Sequence, residues 1–266
     1  MDLRGGLTEL ATLETAFRLP TVSVVIPTLN ESRNLEHVFS RIPADMFEVV
    51  LVDGNSVDGT IDVARRLRPD IKVVLQNRRG KGNALACGFA ACTGDVIVMI
   101  DADGSTDPAE IPAFVAALTS GADFAKGSRF ITGGGSHDIT PVRRLGNRGL
   151  NGLVNVLFGT HFTDLCYGYN AFWAHCLPSF DLPIGEPGDP VWGDGFEIET
   201  LINVRIARSA RVTEVASIEH ARIHGESNLN TFRDGWRVLR TIARERHRPT
   251  YKTDRDPPLA LGLAAY

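Results

Sequence analysis

Residues 96–103 read Val-Ile-Val-Met-Ile-Asp-Ala-Asp, an apolar run that leads directly into two aspartates. A short run rich in Val and Ile and ending in polar residues is typical of a strand buried on both faces of a parallel sheet. Open sheets of this kind bind their ligands at the carboxyl ends of the strands. The stretch therefore predicts a parallel α/β sheet with a polar site where this strand ends.

Three similar apolar runs precede it, at 22–26, 49–52 and 71–75, and segments with helical character separate the runs. This strand–helix alternation predicts an α/β fold with a doubly wound, mostly parallel sheet flanked by helices, in a single domain. We expect three parts: an N-terminal extension at 1–20, the sheet domain at 21–230, and a C-terminal helix and tail at 231–266.

The second half of the chain is less regular, but its periodicity predicts further elements. Strands are expected at 122–128, 167–173 and 212–218, and helices at 107–118, 143–158, 196–207 and 231–246. The glycine-rich residues 133–136 have no side chains to pack and are predicted to form a mobile loop.

Composition excludes several classes of protein. The chain has 266 residues with 28 Lys and Arg against 32 Asp and Glu, a formal net charge of −4. This balance argues against a protein that gains affinity by neutralising nucleic-acid phosphates. The four cysteines lack metal-finger spacing, and there is neither a secretion signal nor the roughly 20 apolar residues of a membrane span. We therefore expect a cytoplasmic protein.

Asp101 and Asp103 bracket the small Ala102 where the fourth predicted strand ends. Carboxylate oxygens are the ligands that Mg²⁺ and Mn²⁺ prefer, and such an ion would bridge them to phosphate oxygens. The alternative is a turn whose aspartates only cap the next helix. The polar residues that follow the other predicted strands favour a metal site.

Two other strand ends carry candidate ligand residues. Asp53 can accept a hydrogen bond from a base N–H or a ribose hydroxyl, although the residues after it also fit a simple turn. Lys81 follows Arg78 and Arg79 and offers charge to a phosphate, with a solvated basic turn as the alternative. The chain has no GxxxxGK[ST] and no GxGxxG after its first strand, which argues against a P-loop NTPase and a dinucleotide-dependent oxidoreductase.

Six segments carry a recognisable pattern in a fixed order: VVIPTLNE at 24–31, DGNSVDGT at 53–60, GKGNAL at 80–85, DAD at 101–103, GSRF at 127–130 and HGESNL at 224–229. Together they resemble the inverting family 2 glycosyltransferases with the GT-A fold, and specifically the polyprenyl-phosphate (dolichol-phosphate) mannose and glucose synthases. The resemblance covers about residues 22–229.

The resemblance implies a metal-dependent, inverting transfer of a hexose from a UDP-glucose or GDP-mannose type of donor to a polyprenyl-phosphate-like acceptor. Mg²⁺ or Mn²⁺ would be held by Asp101 and Asp103, of which Asp103 is also a candidate catalytic residue. The implied nucleotide-sugar site comprises Pro27, Leu29, Glu31, Asp53, Lys81, Asp101, Ala102 and Asp103. The implied acceptor site comprises Arg129, Arg143, Arg144, Asn147 and Arg222. An arginine cluster also suits a phosphate better than a neutral hydroxyl.

The main alternative is a soluble glycosyltransferase that acts on a hydroxyl or amine of a small-molecule, antibiotic-type acceptor. A lipid phosphate is already an anion, whereas a hydroxyl needs a base to take its proton. Asp194 and Glu197 are the candidate catalytic bases for that reaction, and helix capping is their alternative role. A non-catalytic sugar-nucleotide binder and a glycosidase rank below both.

Apolar residues of the helix predicted at 143–158 form a stripe that either rests on a bilayer surface or faces the core. The stripe consists of Leu150, Leu153, Val154, Leu157 and Phe158. A bilayer contact would place the enzyme at the inner face of the membrane. The sequence leaves peripheral membrane contact, a homo-oligomer, the donor base and the acceptor open.

Overall fold

The computed structural model describes residues 19–183, 185–225 and 231–248. Its main sheet has seven strands in the order β3-β2-β1-β4-β7-β5-β8. These strands are β1 (Val22–Thr28), β2 (Glu48–Asp53), β3 (Lys72–Leu75), β4 (Val96–Met99), β5 (Phe124–Ser128), β7 (Asn170–Trp173) and β8 (Val212–Ala216). A separate parallel pair is formed by β6 (Gly135–Ser136) and β9 (Ile218–Glu219).

Helices cover both faces of the sheet. They are α1 (Leu35–Arg41), α2 (Thr60–Leu67), α3 (Lys81–Ala91), α4 (Ile111–Thr119), α5 (Pro141–Phe158), α6 (Leu177–Phe180), α7 (Ile198–Ile206) and α8 (Thr231–Arg246). Short 3₁₀ turns precede α4 and α6, at Pro108–Glu110 and Ala174–Cys176. In the part of the chain that the structure describes, no helix has the length and apolar character needed to span a bilayer.

The predicted mostly parallel α/β sheet is confirmed. β1 pairs in parallel with β2 and β4, and β2 pairs in parallel with β3. The exception is β7, which lies between β4 and β5 and is antiparallel to both. The carboxyl ends of β1, β2 and β4 therefore share one edge, where the polar segments of the sequence meet.

Two hydrophobic cores lie on opposite faces of the sheet because successive side chains of a strand point to opposite sides. Val24 packs into one core together with Phe114, whereas the adjacent Val25 packs into the other with Phe89. A third core joins α5, α7 and α8 through residues that include Val154, Val204 and Val238. The helix α8 is thus packed against α5 and α7.

The third core decides the role of the apolar stripe on α5. Val154 is fully buried, and Leu150, Leu157 and Phe158 pack against the same core. Only Leu153 is exposed. The bilayer interpretation of this stripe is therefore wrong, since most of it faces α7 and α8.

Two other predictions from the sequence concern the glycine-rich loop and the domain boundaries. The glycine-rich segment 133–136 contains β6, because the Gly135 N–H donates to Ser217 O at 3.1 Å and the strand pairs with β9. Residues 1–18 of the predicted N-terminal extension, 226–229 of the last motif and 249–266 of the predicted tail lie outside the described residues. The domain boundaries drawn from the sequence stay a prediction.

Candidate functional site

A pocket of about 480 Å³ lies at the carboxyl ends of β1 and β4, with walls from α5, α7 and α8. It collects most of the residues that the sequence predicted for a site. The predicted residues that line it are Pro27, Leu29, Glu31, Lys81, Asp101, Ala102, Asp103, Arg129, Arg143, Asn147 and Arg222. Asp53, Arg144, Asp194 and Glu197 are not in its lining.

Lys81 joins two carboxylates at the start of α3. Its Nζ lies 2.6 Å from Asp101 Oδ1 and 2.8 Å from Glu199 Oε1. Burial alone would lower the pKa of Lys81, but the Asp101 and Glu199 carboxylates hold it well above its ordinary value. Lys81 therefore stays charged and fixes the orientation of Asp101.

The glycines on either side of Lys81 allow a close contact between two backbone segments. A Cβ at Gly80 or Gly82 would collide with the carbonyl groups of Gly193 and Asp194, so only glycine allows this close approach. The N–H groups of Gly82 and Asn83 both donate to Asp194 O, at 2.8 and 3.3 Å. This helix start consequently does not hold those donors ready for a phosphate, and the charge of Lys81 is what it offers to the pocket.

Asp103 is oriented by two contacts. Its Oδ1 accepts the Ser105 N–H at 2.9 Å, and its Oδ2 lies 2.6 Å from Arg222 Nη2. Arg222 Nη1 also lies 3.3 Å from Glu31 Oε1. Burial raises the pKa of Glu31 above its ordinary value, opposed by a hydrogen bond from Asn34 and the charge of Arg222. The two aspartates of the DAD segment are thus each matched by one basic side chain.

The donor set fits a divalent cation that shares its coordination with a ligand. No group of three or more His, Cys, Asp or Glu within the described ranges is placed to hold a metal alone. Asp101 and Asp103 both line the pocket, and Mg²⁺ typically takes one or two carboxylates together with phosphate oxygens and water. The described lining contains seven Asp and Glu but four Lys and Arg. An anionic diphosphate would enter this acidic pocket more readily with a cation.

Arg129 is held tightly at the other side of the pocket. Its Nε and Nη2 donate to Asp164 at 2.6 and 2.9 Å, and its Nη1 donates to Glu219 at 2.9 Å. The guanidinium also lies 4.8 Å from the centre of the Tyr167 ring. Burial would lower the pKa of Arg129, but Asp164 and Glu219 raise it. Arg129 therefore organises this wall through its pairs with Asp164 and Glu219.

The other residues predicted to bind the sugar acceptor include three on α5. Thr140 caps this helix, because its side-chain oxygen accepts a hydrogen bond from the Arg143 N–H. Arg143 is partly exposed and lies a loose 3.8 Å from Asp138. Asn147 donates to Asp164 at 2.9 Å, while its buried Oδ1 has no hydrogen-bond partner within the described protein. Arg144 is exposed and lies over the Phe130 ring, outside the pocket lining. The structure thus brings Arg143 and Asn147 to the pocket without Arg144.

Asp53, predicted as a ligand of the nucleotide, has a local role. It is fully buried and accepts the Ser56 N–H at 2.8 Å. This contact shapes the turn after β2, the alternative that the sequence had left open. Asp53 is absent from the pocket lining, and its direct contact with the nucleotide stays a prediction.

The two candidate bases also lie outside the pocket lining. Asp194 accepts hydrogen bonds from Arg78 at 2.8 and 2.9 Å and from the Val191 N–H at 2.8 Å. Glu197 accepts the Gly193 N–H at 3.1 Å, and Arg237 Nε lies 3.6 Å from its other oxygen. Both carboxylates are buried in contacts that hold the loop before α7, and their role as catalytic bases stays a prediction.

Sequence reasoning missed two important carboxylates, Glu199 and Asp164. Glu199 lies in the pocket lining and is buried beside Lys81. Its signal was a glutamate inside the otherwise buried α7, a position that carboxylates rarely occupy without a partner. Asp164 anchors Arg129 from a loop, where no pattern of spacing marks it.

Residues 23–175 match the family model for glycosyl transferase family 2, more than half of the chain. The chain belongs to glycosyl transferase family 2. A dolichol-phosphate mannosyltransferase of Pyrococcus furiosus is 32% identical over 217 residues, which cover 78% of this chain and 59% of that protein. The glycosyltransferase AglJ of Haloferax volcanii is 30% identical over 223 residues, covering 80% of this chain and 68% of AglJ.

Solved structures confirm the GT-A fold of this family 2 member. Glucosyl-3-phosphoglycerate synthase from Mycobacterium tuberculosis matches with a TM-score of 0.67 and 24% identity, over 90% of this chain and 83% of that one. That enzyme was crystallised with Mn²⁺, UDP and phosphoglyceric acid, and also with Mg²⁺ and UDP. At this identity the likeness establishes the fold alone.

Proposed function

We propose that the chain is an inverting hexosyltransferase that moves a sugar from a nucleotide-sugar donor to the phosphate of a polyprenyl-phosphate-like lipid. One observation carries the proposal: a single cavity joins the Asp101 and Asp103 carboxylates to the Arg143 and Asn147 side chains of α5. The similarity to a dolichol-phosphate mannosyltransferase supports the acceptor class. The proposed location is the cytoplasm.

The donor end of the pocket comprises Asp101, Asp103 and Lys81, with Pro27 and Leu29 beside them. Mg²⁺ or Mn²⁺ held by the two aspartates would neutralise the charge that grows on the departing diphosphate. Lys81 holds Asp101 in place and contributes a permanent positive charge. The pocket therefore stabilises the leaving group and orients the donor.

The acceptor end is suited to a phosphate attached to an apolar chain. Arg143 is the pocket arginine that can turn toward a phosphate at the lowest cost, because its contact with Asp138 is long and partly exposed. Arg129 would have to leave the fully buried Asp164 and the partly buried Glu219 to do so. Apolar side chains line the same wall and suit an alkyl chain: Ile139, Val142, Leu150, Phe196 and Val238.

A phosphate acceptor also removes the need for a general base. Its oxygen is anionic near neutral pH and attacks the anomeric carbon directly, opposite the departing diphosphate. The placement of Asp194 and Glu197 outside the pocket supports this acceptor over a hydroxyl or amine. The competing outcome is transfer to a small phosphorylated acceptor, such as the phosphoglycerate named for the mycobacterial synthase, whose phosphate would meet Arg143 in the same way.

The experiment compares acceptors under one set of conditions. Release of UDP or GDP from UDP-glucose and GDP-mannose is measured with Mg²⁺ or Mn²⁺ and one of three acceptors: polyprenyl phosphate, the matching polyprenol, or 3-phosphoglycerate. We expect turnover with polyprenyl phosphate, a roughly hundredfold loss in Asp103→Asn, and a roughly tenfold rise of the acceptor KM in Arg143→Gln.

Arg66→Gln is the matched control, since Arg66 is an exposed arginine of α2 and lies outside the pocket lining. An inverted anomeric configuration of the product, read by NMR, would complete the assignment. Equal turnover with polyprenol, or turnover with 3-phosphoglycerate alone, would contradict the proposed acceptor.

A further inference from the structure

The two helices beside the pocket, α5 and α8, expose large apolar side chains to solvent. On α5, Leu145 and Val156 are 72% and 83% exposed, and Val142 is 63% exposed while also lining the pocket. On α8, Trp236 is 64% exposed and follows Gly235, another residue of the pocket lining. Exposed apolar side chains therefore lie on the two helices that also form part of the cavity wall. Clustered exposure of this kind marks an interaction surface.

The same two helices carry a strong positive charge although the whole chain carries −4. α5 contains no Asp or Glu, and the two acidic residues of α8, Asp234 and Glu245, are buried. Their exposed basic residues are Arg144, Arg148, Arg233, Arg240, Arg244 and Arg246. The solvent side of both helices thus presents arginines beside apolar side chains and no carboxylate.

We propose that this α5–α8 face, defined by the exposed residues of the two helices, docks the protein on the surface of an anionic phospholipid bilayer. Helices with arginines beside Trp and Leu bind in the interfacial plane of a membrane, and anionic lipids attract the arginines. A second copy of this chain fits less well, because two arginine arrays would face each other.

Docking would set the pocket mouth at the depth of the lipid headgroups, since Val142 belongs to both the exposed face and the cavity wall. A tryptophan such as Trp236 prefers this region, where its ring is buried and its N–H remains hydrated. The inference concerns the surface of the protein and does not require the proposed acceptor. A glycosyltransferase with another acceptor would dock in the same way.

The test measures binding of the whole chain to vesicles of phosphatidylcholine with and without phosphatidylglycerol, by co-sedimentation at low and high salt. We expect roughly tenfold tighter binding to the anionic vesicles and loss of that difference at high salt. Trp236→Ser and Leu145→Ser should each weaken binding roughly tenfold, and Arg148→Glu should weaken it on anionic vesicles by at least about fivefold.

The matched control is Phe47→Ser, which removes an apolar side chain that is 55% exposed next to the amino end of β2, at the opposite edge of the sheet. This variant should bind like the wild type. Brominated lipid should quench the tryptophan emission of the wild type and quench Trp236→Phe less.

Three results would overturn the proposal: no vesicle binding, equal binding to both vesicle types, or equal effects of Phe47→Ser and Trp236→Ser. A dimer in sedimentation velocity that Leu145→Ser dissociates would assign the face to self-association instead. Because neither donor nor acceptor is present, failure here is distinct from failure of the transferase assay.

Discussion

Arg222 Nη2 lies 2.6 Å from Asp103 Oδ2, so a guanidinium holds one of the two candidate metal ligands. The sequence had assigned Arg222 to the acceptor phosphate. In the structure it bridges Asp103 and Glu31, whose oxygen lies 3.3 Å from the other amino group. A cation bound by Asp103 must share that carboxylate with Arg222 or displace it. Arg222 therefore competes with a metal ion for the same negative charge.

Replacing Arg222 with Ala should increase the affinity for Mn²⁺. The variant removes the guanidinium that competes for Asp103, so we expect several-fold tighter Mn²⁺ binding without any nucleotide, measured by titration calorimetry or by the EPR signal of free Mn²⁺. Arg211→Ala is the control for the loss of one positive charge, since Arg211 lies in an exposed pair with Asp123. Unchanged or weaker Mn²⁺ binding in Arg222→Ala would refute the competition.

A nucleotide with the correct base should raise the melting temperature of the protein only when Mn²⁺ or Mg²⁺ is present. At a ligand concentration of about 100 times Kd, binding adds about 2.7 kcal/mol of stability, which corresponds to a rise of roughly 5 °C for a domain of this size. UDP, GDP and dTDP are compared by scanning fluorimetry. Asp103→Ala should abolish the rise in melting temperature that depends on the metal. Flat curves for every nucleotide would contradict a donor site at Asp101 and Asp103.

Replacing Lys81 with Met should destabilise the fold. Glu199 is buried beside it, and removing one partner of a buried pair leaves an uncompensated charge. We expect a loss of about 2 to 4 kcal/mol in the free energy of unfolding by urea. Adding Glu199→Gln to Lys81→Met should recover part of it. Lys72→Met, at an exposed lysine, should cost less than about 1 kcal/mol. Equal losses of unfolding free energy in Lys81→Met and Lys72→Met would contradict the buried pairing of Lys81.

Asp194→Asn separates a structural role from a catalytic one. The Arg78–Asp194 pair is almost fully buried, so we expect about 3 kcal/mol of destabilisation, while kcat per folded molecule stays within about threefold of the wild type. The exposed Asp189 on the same loop gives the control Asp189→Asn, which should change neither quantity. A hundredfold fall of kcat with unchanged stability would restore Asp194 as a general base.

Lys126 should make the stability depend on alkaline pH. Its ammonium donates to Tyr167 O at 2.6 Å, and burial lowers its pKa to about 8. In the unfolded chain a lysine has a pKa of about 10.4, so between pH 8 and 10.4 the unfolded state binds more protons. The burial of charged Lys126 therefore destabilises the fold below pH 8, and this penalty, on the order of 3 kcal/mol in total, is relieved as the pH rises through this window.

The measurement is the difference in unfolding free energy between wild type and Lys126→Met across this range, because cysteines and tyrosines titrate in both and cancel. The difference should move in favour of the wild type as the pH rises. A constant difference would show that the pKa of Lys126 is not lowered.

The half of the molecule around Asp101 and Asp103 was largely predictable from the sequence because its signals are local. The four apolar runs became β1 to β4, and the residues directly after β1 and β4 line the pocket. Strand ends follow from a run of Val and Ile and from the residue that ends it. The site at Asp101 and Asp103 needed no knowledge of distant contacts.

The half of the molecule around Arg129 and α5 depends on contacts between residues far apart in sequence. β7 lies between β4 and β5 and pairs with both. The hydropathy pattern predicts that a segment is a strand, but it does not predict which strands pair. Arg129 was predicted to bind a phosphate, but its pairing with Asp164 depends on where the loop before β7 is placed. Asp194 stands at a helix start in sequence, and only the fold shows that Arg78 reaches it.

The position of β7 has a consequence for how such enzymes diversify. The chain between β5 and β7 leaves the sheet, builds β6 and α5, and returns to pair with β4. This excursion supplies Arg143 and Asn147, whereas the strands that hold Asp101 and Asp103 are complete before it begins. Mutation and insertion can therefore remodel the excursion while the strands that position Asp101 and Asp103 stay unchanged. Under the proposed function, such changes would alter the acceptor specificity and leave the donor site as it is.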